Sequence, residues 1–265
     1  MPAVQLTTRR VEKPWGRRDL WPGFGDVPPG GEPVGEIWFE DEQAEEDPEL
    51  LVKYLFTSER LSIQVHPDDE QARARGLASG KNECWYILSA EPGATLALGL
   101  KQELSADELR EAALDQSLEE LMDWRDVGPG DFFYVPAGTI HAIGGGLELL
   151  EFQQNVDVTY RLYDYGRPRD LHLDDAIAVA HRTVYPDELA QHVPADEQRS
   201  LVKGPPFALV HTQTDMLRDR QRWVIPLAGE VRAGDDVALA GECLVLQPDE
   251  ILTLAGARML IGAMA

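Results

Sequence analysis

The chain has 265 residues, 43% hydrophobic and 27% charged, enough for one large domain or two small ones with an ample core. Its formal net charge of −23 excludes a nucleic-acid partner, which needs clustered positive charge, and argues against anionic membranes. No apolar run approaches the roughly 18 residues that span a bilayer. The segment 1–10 lacks the apolar core of a secretory signal, and two cysteines cannot form a disulfide framework, so a reducing, cytoplasmic location is expected.

Residues 22–35 are rich in Pro and Gly and read as a loop, and the acidic stretch 40–47 reads as a solvated face. Strand-like runs lie at 35–40, 51–56, 61–66, 83–88, 95–100, 131–135, 147–152 and 158–163, with Cys84 expected as a small buried hydrophobe. Two helical inserts interrupt them. One lies near 68–77, with Asp68 as its expected N-cap. The other lies near 105–123, opening on the capping-box pattern Ser105-Ala-Asp-Glu108 and carrying Leu109, Leu114, Leu118 and Leu121 at helical spacing. Gly144–Gly146 has the wrong pattern for a phosphate loop and predicts a hairpin turn. Residues 171–181 read as a helix and 182–206 as a proline-containing connector. Strands resume at 207–212, 222–227, 242–246, 251–254 and 259–261. The pattern predicts an all-β chain with helical inserts, closed or sandwiched and antiparallel.

The densest chemistry lies in Gly130-Asp-Phe-Phe-Tyr-Val-Pro136-Ala-Gly138-Thr-Ile-His141. An apolar strand runs into a Pro-x-Gly turn, and a turn of fixed geometry aims the following imidazole at one point, as a metal ligand requires. Upstream, strand alternation puts Gln64 and His66 on one face, and Glu83 opens another strand. Gln64, His66, Glu83 and His141 offer two imidazoles, a carboxylate and an amide oxygen, a set suited to a divalent metal. On residues alone, Gln64 is balanced between ligand and ligand support, and Lys81 reads as a loop lysine. Arg161 is either paired with Asp157 or Asp164 or turned to a pocket. Glu148 and Glu151 differ in strand parity, so only one is expected to face inward.

The stretch 130–141 matches the second motif of the cupin barrels, G-x5-P-x-G-x2-H. With Lys13-Pro-Trp-Gly16, Gly35-Glu-Ile-Trp38, Ser62-Ile-Gln64-Val-His66-Pro-Asp68, Gly80-Lys-Asn-Glu83-Cys-Trp-Tyr86 and Glu151-Phe-Gln-Gln-Asn155, the chain resembles the class I mannose-6-phosphate isomerases in their short bacterial form, from about residue 11 to residue 181. The resemblance implies a cupin (jelly-roll) barrel over 1–183, with the helical inserts, that binds one divalent ion, zinc first, through Gln64, His66, Glu83 and His141. It brings Lys81, Glu151 and Arg161 into the site as catalytic residues, and Ser62, Lys81 and Arg161 as contacts to a sugar phosphate. Residues 184–265 would be a connector and a reduced cupin-like β domain. Gly241–Asp249 echoes the strand before Pro136, but no His follows it and the last His is His211, so this part is expected to bind no catalytic metal and to serve in packing or edge protection. The implied activity is interconversion of mannose 6-phosphate and fructose 6-phosphate through an enediol. The alternatives are an Fe(II) cupin dioxygenase, since two His and one carboxylate suit that metal, and a non-enzymatic sugar-binding cupin. Asn82, where Thr is frequent, and Val156 and Val158, in place of small polar residues, depart from the family pattern. The oligomeric state is left open.

Overall fold

The computed structural model describes residues 3–21, 23–42, 44 and 48–265. Pro22 of the predicted loop and Gln43, Glu45, Glu46 and Asp47 of the acidic stretch lie outside the described residues. In chain order, β1 (Val4–Gln5), β2 (Thr7–Arg17), β3 (Val34–Glu40), β4 (Leu50–Thr57) and β5 (Ile63–Val65) precede α1 (Asp69–Arg73). β6 (Glu83–Ala90) and β7 (Thr95–Leu100) lead to α2 (Ala106–Asp115) and α3 (Leu118–Leu121). Then come β8 (Met122–Asp126), β9 (Asp131–Val135), β10 (His141–Ile143), β11 (Leu147–Gln154), β12 (Tyr160–Tyr163) and α4 (Leu173–Val179). The remainder holds β13 (Ala190–His192), β14 (Arg199–Val202), β15 (Phe207–Thr212), β16 (Arg222–Ala233), β17 (Asp236–Ala238), β18 (Leu244–Leu246) and β19 (Thr253–Met264). Two helices, α1 and α2, begin where the caps predict them. Asp68 Oδ1 accepts from the Gln71 N–H at 2.8 Å and Ser105 Oγ from the Glu108 N–H at 3.2 Å, both in reciprocal capping boxes.

The chain groups into two compact units. One comprises Thr57–Leu149 and Gln153–Gln191. Its five-stranded antiparallel sheet has the order β12-β5-β10-β7-β8. One face of that sheet packs on the helices. Ile63 and Val65 of β5, Ala142 of β10, and Tyr160 and Leu162 of β12 share a buried cluster with Leu109 of α2, Leu118 of α3 and Ile177 of α4. Period-2 alternation therefore sends Gln64, His141 and Arg161 to the opposite face. In the same unit β6 pairs antiparallel with β9, Glu83 standing opposite Val135 and Trp85 opposite Phe133. Val158 is buried in the helix-packed cluster and Val156 packs against it, so these two departures from the family pattern fill core.

The other unit comprises Met1–Phe56, Leu150–Phe152 and His192–Ala265. It contains the antiparallel run β2-β3-β4 and a second sheet of order β1-β18-β16-β19-β15-β14, with β17 against β16. Its core includes Val210, Val224, Leu244, Met259 and Ile261.

Several expectations are corrected. The predicted strands 251–254 and 259–261 are one strand, β19, whose pairing with β16 absorbs register shifts. The predicted connector holds β14, paired with β15. β2 has no strand signature because six of its eleven residues are exposed and five are charged, and its place is fixed by pairing with β3. Gly144–Gly146 does not close a hairpin, because β10 lies in the five-stranded sheet and β11 in another. The glycines admit close backbone instead, since a Cβ on Gly144 would stand 2.3 Å from the Thr95 carbonyl oxygen. All eight residues of β11 are buried, so Glu148 and Glu151 both lie inside and strand parity does not choose between them.

Candidate metal centre

Three of the predicted site residues fall in one row across the five-stranded sheet. Gln64 stands directly opposite His141 on one side and directly opposite Arg161 on the other. Adjacent strands lie about 4.8 Å apart, so the row brings these side chains onto one patch of the face turned away from the helices. His66, just past the end of β5, and Glu83, first residue of β6, complete it. His66, Glu83 and His141 are at most 2% exposed, and their donor atoms all lie within 4.8 Å of one another.

The geometry fits a metal. Donors about 2.0–2.1 Å from a tetrahedral ion are separated by about 3.3 Å. His141 Nε2 lies 3.2 Å from Glu83 Oε1, His66 Nε2 lies 3.5 Å from Glu83 Oε2, and Gln64 Nε2 lies 3.2 Å from His141 Nε2. His141 Nδ1 is 2.9 Å from the Thr139 carbonyl, so it carries the proton and donates it there, leaving Nε2 as the bare donor. Gln64 presents an amide whose oxygen and nitrogen exchange places by a half-turn. Ser62 Oγ donates to Gln64 Oε1 at 3.2 Å, and after a half-turn the same hydroxyl can accept from the amide nitrogen. A cation already sits against two of the donors: Lys81 Nζ is 2.9 Å from Glu83 Oε2 and 3.3 Å from His66 Nε2. A buried carboxylate requires a counter-charge, and here it faces one.

Arg161 takes neither of its predicted carboxylates. Asp164 is buried and clamped by Arg169 through two bonds of 2.6 Å and by Arg167 at 3.0 Å. Among the described residues no carboxylate forms an ion pair with Arg161, and its buried Nε has no hydrogen-bond partner. Desolvation, and then the neighbouring Arg169, hold the Arg161 pKa below its ordinary value. Glu151 lies in the other compact unit, 3.4 Å from Lys53 Nζ, which is also 3.7 Å from Glu36. Lys53 and its pairing were not anticipated from the sequence, although Glu36 lies in the quoted Gly35–Trp38 motif.

Another group the sequence reading did not assign supports the turn before His141. Asn82 Nδ2 donates to Gln154 Oε1 at 2.7 Å, and Asn82 Oδ1 accepts from the Ala137 N–H at 3.0 Å and the Tyr134 hydroxyl at 3.3 Å. Gln154 Nε2 donates to Asp69 Oδ1 at 3.0 Å, which also accepts from the Gly80 N–H at 2.8 Å. The residue between Lys81 and Glu83 thus ties their loop to the Pro136–Gly138 turn. Its only sequence signal was its departure from the family's Thr.

No family model matches the chain. A mannose-6-phosphate isomerase of Streptococcus mutans is 44% identical over 136 residues, 49% of this chain and 43% of that protein. A mannose-6-phosphate isomerase of Bacillus subtilis is 43% identical over 150 residues, 54% of this chain and 47% of that protein. The chain spans about half the length of these curated relatives. Among solved structures, the mannose 6-phosphate isomerase of Bacillus subtilis superposes with a TM-score of 0.82 at 28% identity, covering 100% of both chains. A putative mannosephosphate isomerase of Archaeoglobus fulgidus gives 0.76 at 16% identity over 99% of this chain and 97% of that one, a likeness of fold. The chain is a homologue of proteins named mannose-6-phosphate isomerase and has their cupin fold.

Proposed function

We propose that the chain is a metal-dependent aldose–ketose isomerase that interconverts mannose 6-phosphate and fructose 6-phosphate. The observation that carries this reading is the row Arg161–Gln64–His141, which sets a guanidinium without a carboxylate partner beside a buried His66–Glu83–His141 donor cluster. The names of the homologues support it.

The donors Gln64, His66, Glu83 and His141 would hold the ion. A bound divalent cation, zinc by this set of two imidazoles, a carboxylate and an amide oxygen, supplies Lewis-acid polarisation of the sugar's oxygens. The protein's own groups serve the rest of the chemistry. Moving the C2 proton to C1 through an enediol builds negative charge on the carbonyl oxygen. The Lys81 ammonium, held by Glu83, and the Arg161 guanidinium are the positive donors available to that oxygen and to the substrate's phosphate. Burial of the cluster strengthens both interactions by excluding water. A net charge of −23 repels an anion at long range, so binding relies on such local cations. Ser62, beside Gln64, offers the substrate a hydroxyl. The buried free thiols Cys84 and Cys243 suit a reducing compartment, the cytoplasm. No helix among the described residues is long and apolar enough to cross a membrane.

The test is a coupled assay for fructose 6-phosphate formed from mannose 6-phosphate, with and without chelator. Turnover should require metal. Arg161→Ala should fold and bind metal like the parent while turnover falls about 10²-fold or more, the scale of losing one oriented electrostatic group. Arg161→Lys keeps the charge without the planar fork and should recover part of the rate. Parental turnover by Arg161→Ala would refute the assigned site.

A further inference from the structure

Arg161 sits at an irregularity of β12. Pairing with β5 runs Tyr160 opposite Val65 and Arg161 opposite Gln64, then shifts so that Tyr163 faces Ile63. Such a bulge re-aims the side chain it carries and leaves backbone groups to be satisfied elsewhere. The Arg161 N–H donates to His172 Nδ1 at 3.2 Å, and the Arg161 carbonyl accepts from the His172 N–H at 2.9 Å. The two residues exchange a pair of bonds as strand neighbours do, with an imidazole nitrogen in the place of a carbonyl.

His172 occupies the N-cap position of α4, yet its side chain makes no capping bond. An N-cap side chain ordinarily serves the first turn of its own helix. This one is turned to Arg161 instead. The backbone of His172 is anchored, its carbonyl accepting from the Ala176 N–H at 2.8 Å. The loop that returns from β12 is fixed by the clamp of Arg167 and Arg169 on Asp164. Because Nδ1 is the acceptor, the imidazole is neutral with its proton on Nε2.

We propose that His172 is a positioning residue for Arg161: its Nδ1 holds the bulge in the conformation that aims the guanidinium across Gln64. This rests on the role proposed for Arg161 above. The inference separates by acceptor geometry. Asn places its side-chain oxygen where His places Nδ1, one bond beyond Cγ. Gln reaches one bond further, and Ala offers no acceptor.

The experiment compares His172→Ala, His172→Asn and His172→Gln in the full metal-loaded chain, alone and with Arg161→Ala, by kcat, KM and bound metal. Small misplacements of an oriented group cost up to about 10²-fold. His172→Ala and His172→Gln should lose about tenfold or more in kcat with metal content unchanged, and His172→Asn should recover most of it. In the Arg161→Ala background the three should be indistinguishable. Equal rates for Asn and Gln, or losses that multiply with that of Arg161→Ala, would overturn the proposal. If His172→Ala fails to fold, the Asn and Gln pair still decides. Parental turnover by Arg161→Ala alone would overturn the functional reading, and this one with it. A normal loss there with no effect at His172 would overturn this one only.

Discussion

Asn82→Ala tests how far the site depends on the loop-to-turn tie. The substitution removes three bonds: to Gln154 Oε1, from the Ala137 N–H and from the Tyr134 hydroxyl. Gln154 Oε1 keeps the Asn82 backbone N–H at 3.0 Å, so it is not stranded. The Tyr134 hydroxyl, on a half-buried side chain, loses a long bond worth about 0.5 kcal/mol. The Ala137 N–H, on a buried residue, has its acceptor taken away, which costs about 1–3 kcal/mol. The total is about 1.5–3.5 kcal/mol, and at about 2–4 °C per kcal/mol for a chain of this size Tm should fall by roughly 3–14 °C. Ala137 belongs to the turn that orients His141 through the Thr139 carbonyl, so metal affinity should weaken along with stability. Denaturant midpoints and competition titrations with a metal-binding dye, on loaded and chelated protein, measure both. Unchanged midpoint and affinity would refute the claim that Asn82 holds the turn.

His141→Ala should lose essentially all bound ion by elemental analysis, and stoichiometric retention would refute the ligand assignment. Gly138→Ala forces a side chain onto a backbone with φ +86°, placing a Cβ 2.7 Å from the His181 ring. It should cost about 1–2 kcal/mol, read from the denaturant midpoint, and weaken metal binding; an unaltered midpoint would count against it. Burial, opposed by its bond to the Glu197 carbonyl and assisted by Arg258, holds the His211 pKa below its ordinary value. The folded protein then resists a proton that the unfolded chain accepts, so this contribution to stability is complete above about pH 6.5 and drains as pH falls below it. His211→Asn should flatten the decline in denaturant midpoint between pH 7 and 5; an identical slope would contradict the reading.

The cluster of Gln64, His66, Glu83 and His141 was legible because it depends on short-range rules: period-2 alternation and one stereotyped turn. Both survive folding intact. What local pattern could not reach was set by pairing across the sequence. β2 is a strand because β3 lies beside it, although six of its eleven residues are exposed and five are charged. Glu148 and Glu151 defeat parity because β11 is buried on both faces, a property of its neighbours. Arg161 leaves two readings open, a carboxylate partner or a pocket; Arg167 and Arg169 take Asp164, and among the described residues Arg161 forms no ion pair. Asn82 and His172 gave no local signal because their work is done through hydrogen bonds to residues as far as 72 positions away.

The position of β19 bears on how the protein is made. It lies between β16 and β15 in its sheet, yet it leaves the ribosome after every other strand there. β1 emerges first and waits for β18, some 240 residues behind it. At about 5–20 residues per second that interval is on the order of 12–50 s, with strand edges bare throughout. Folding of this sheet on the nascent chain is therefore deferred until β19 has emerged, and its exposed edges are open to mispairing until then. Slowing the ribosome over residues 207–246 should lengthen that exposure and lower soluble yield, whereas synonymous changes there that leave the elongation rate unaltered should not.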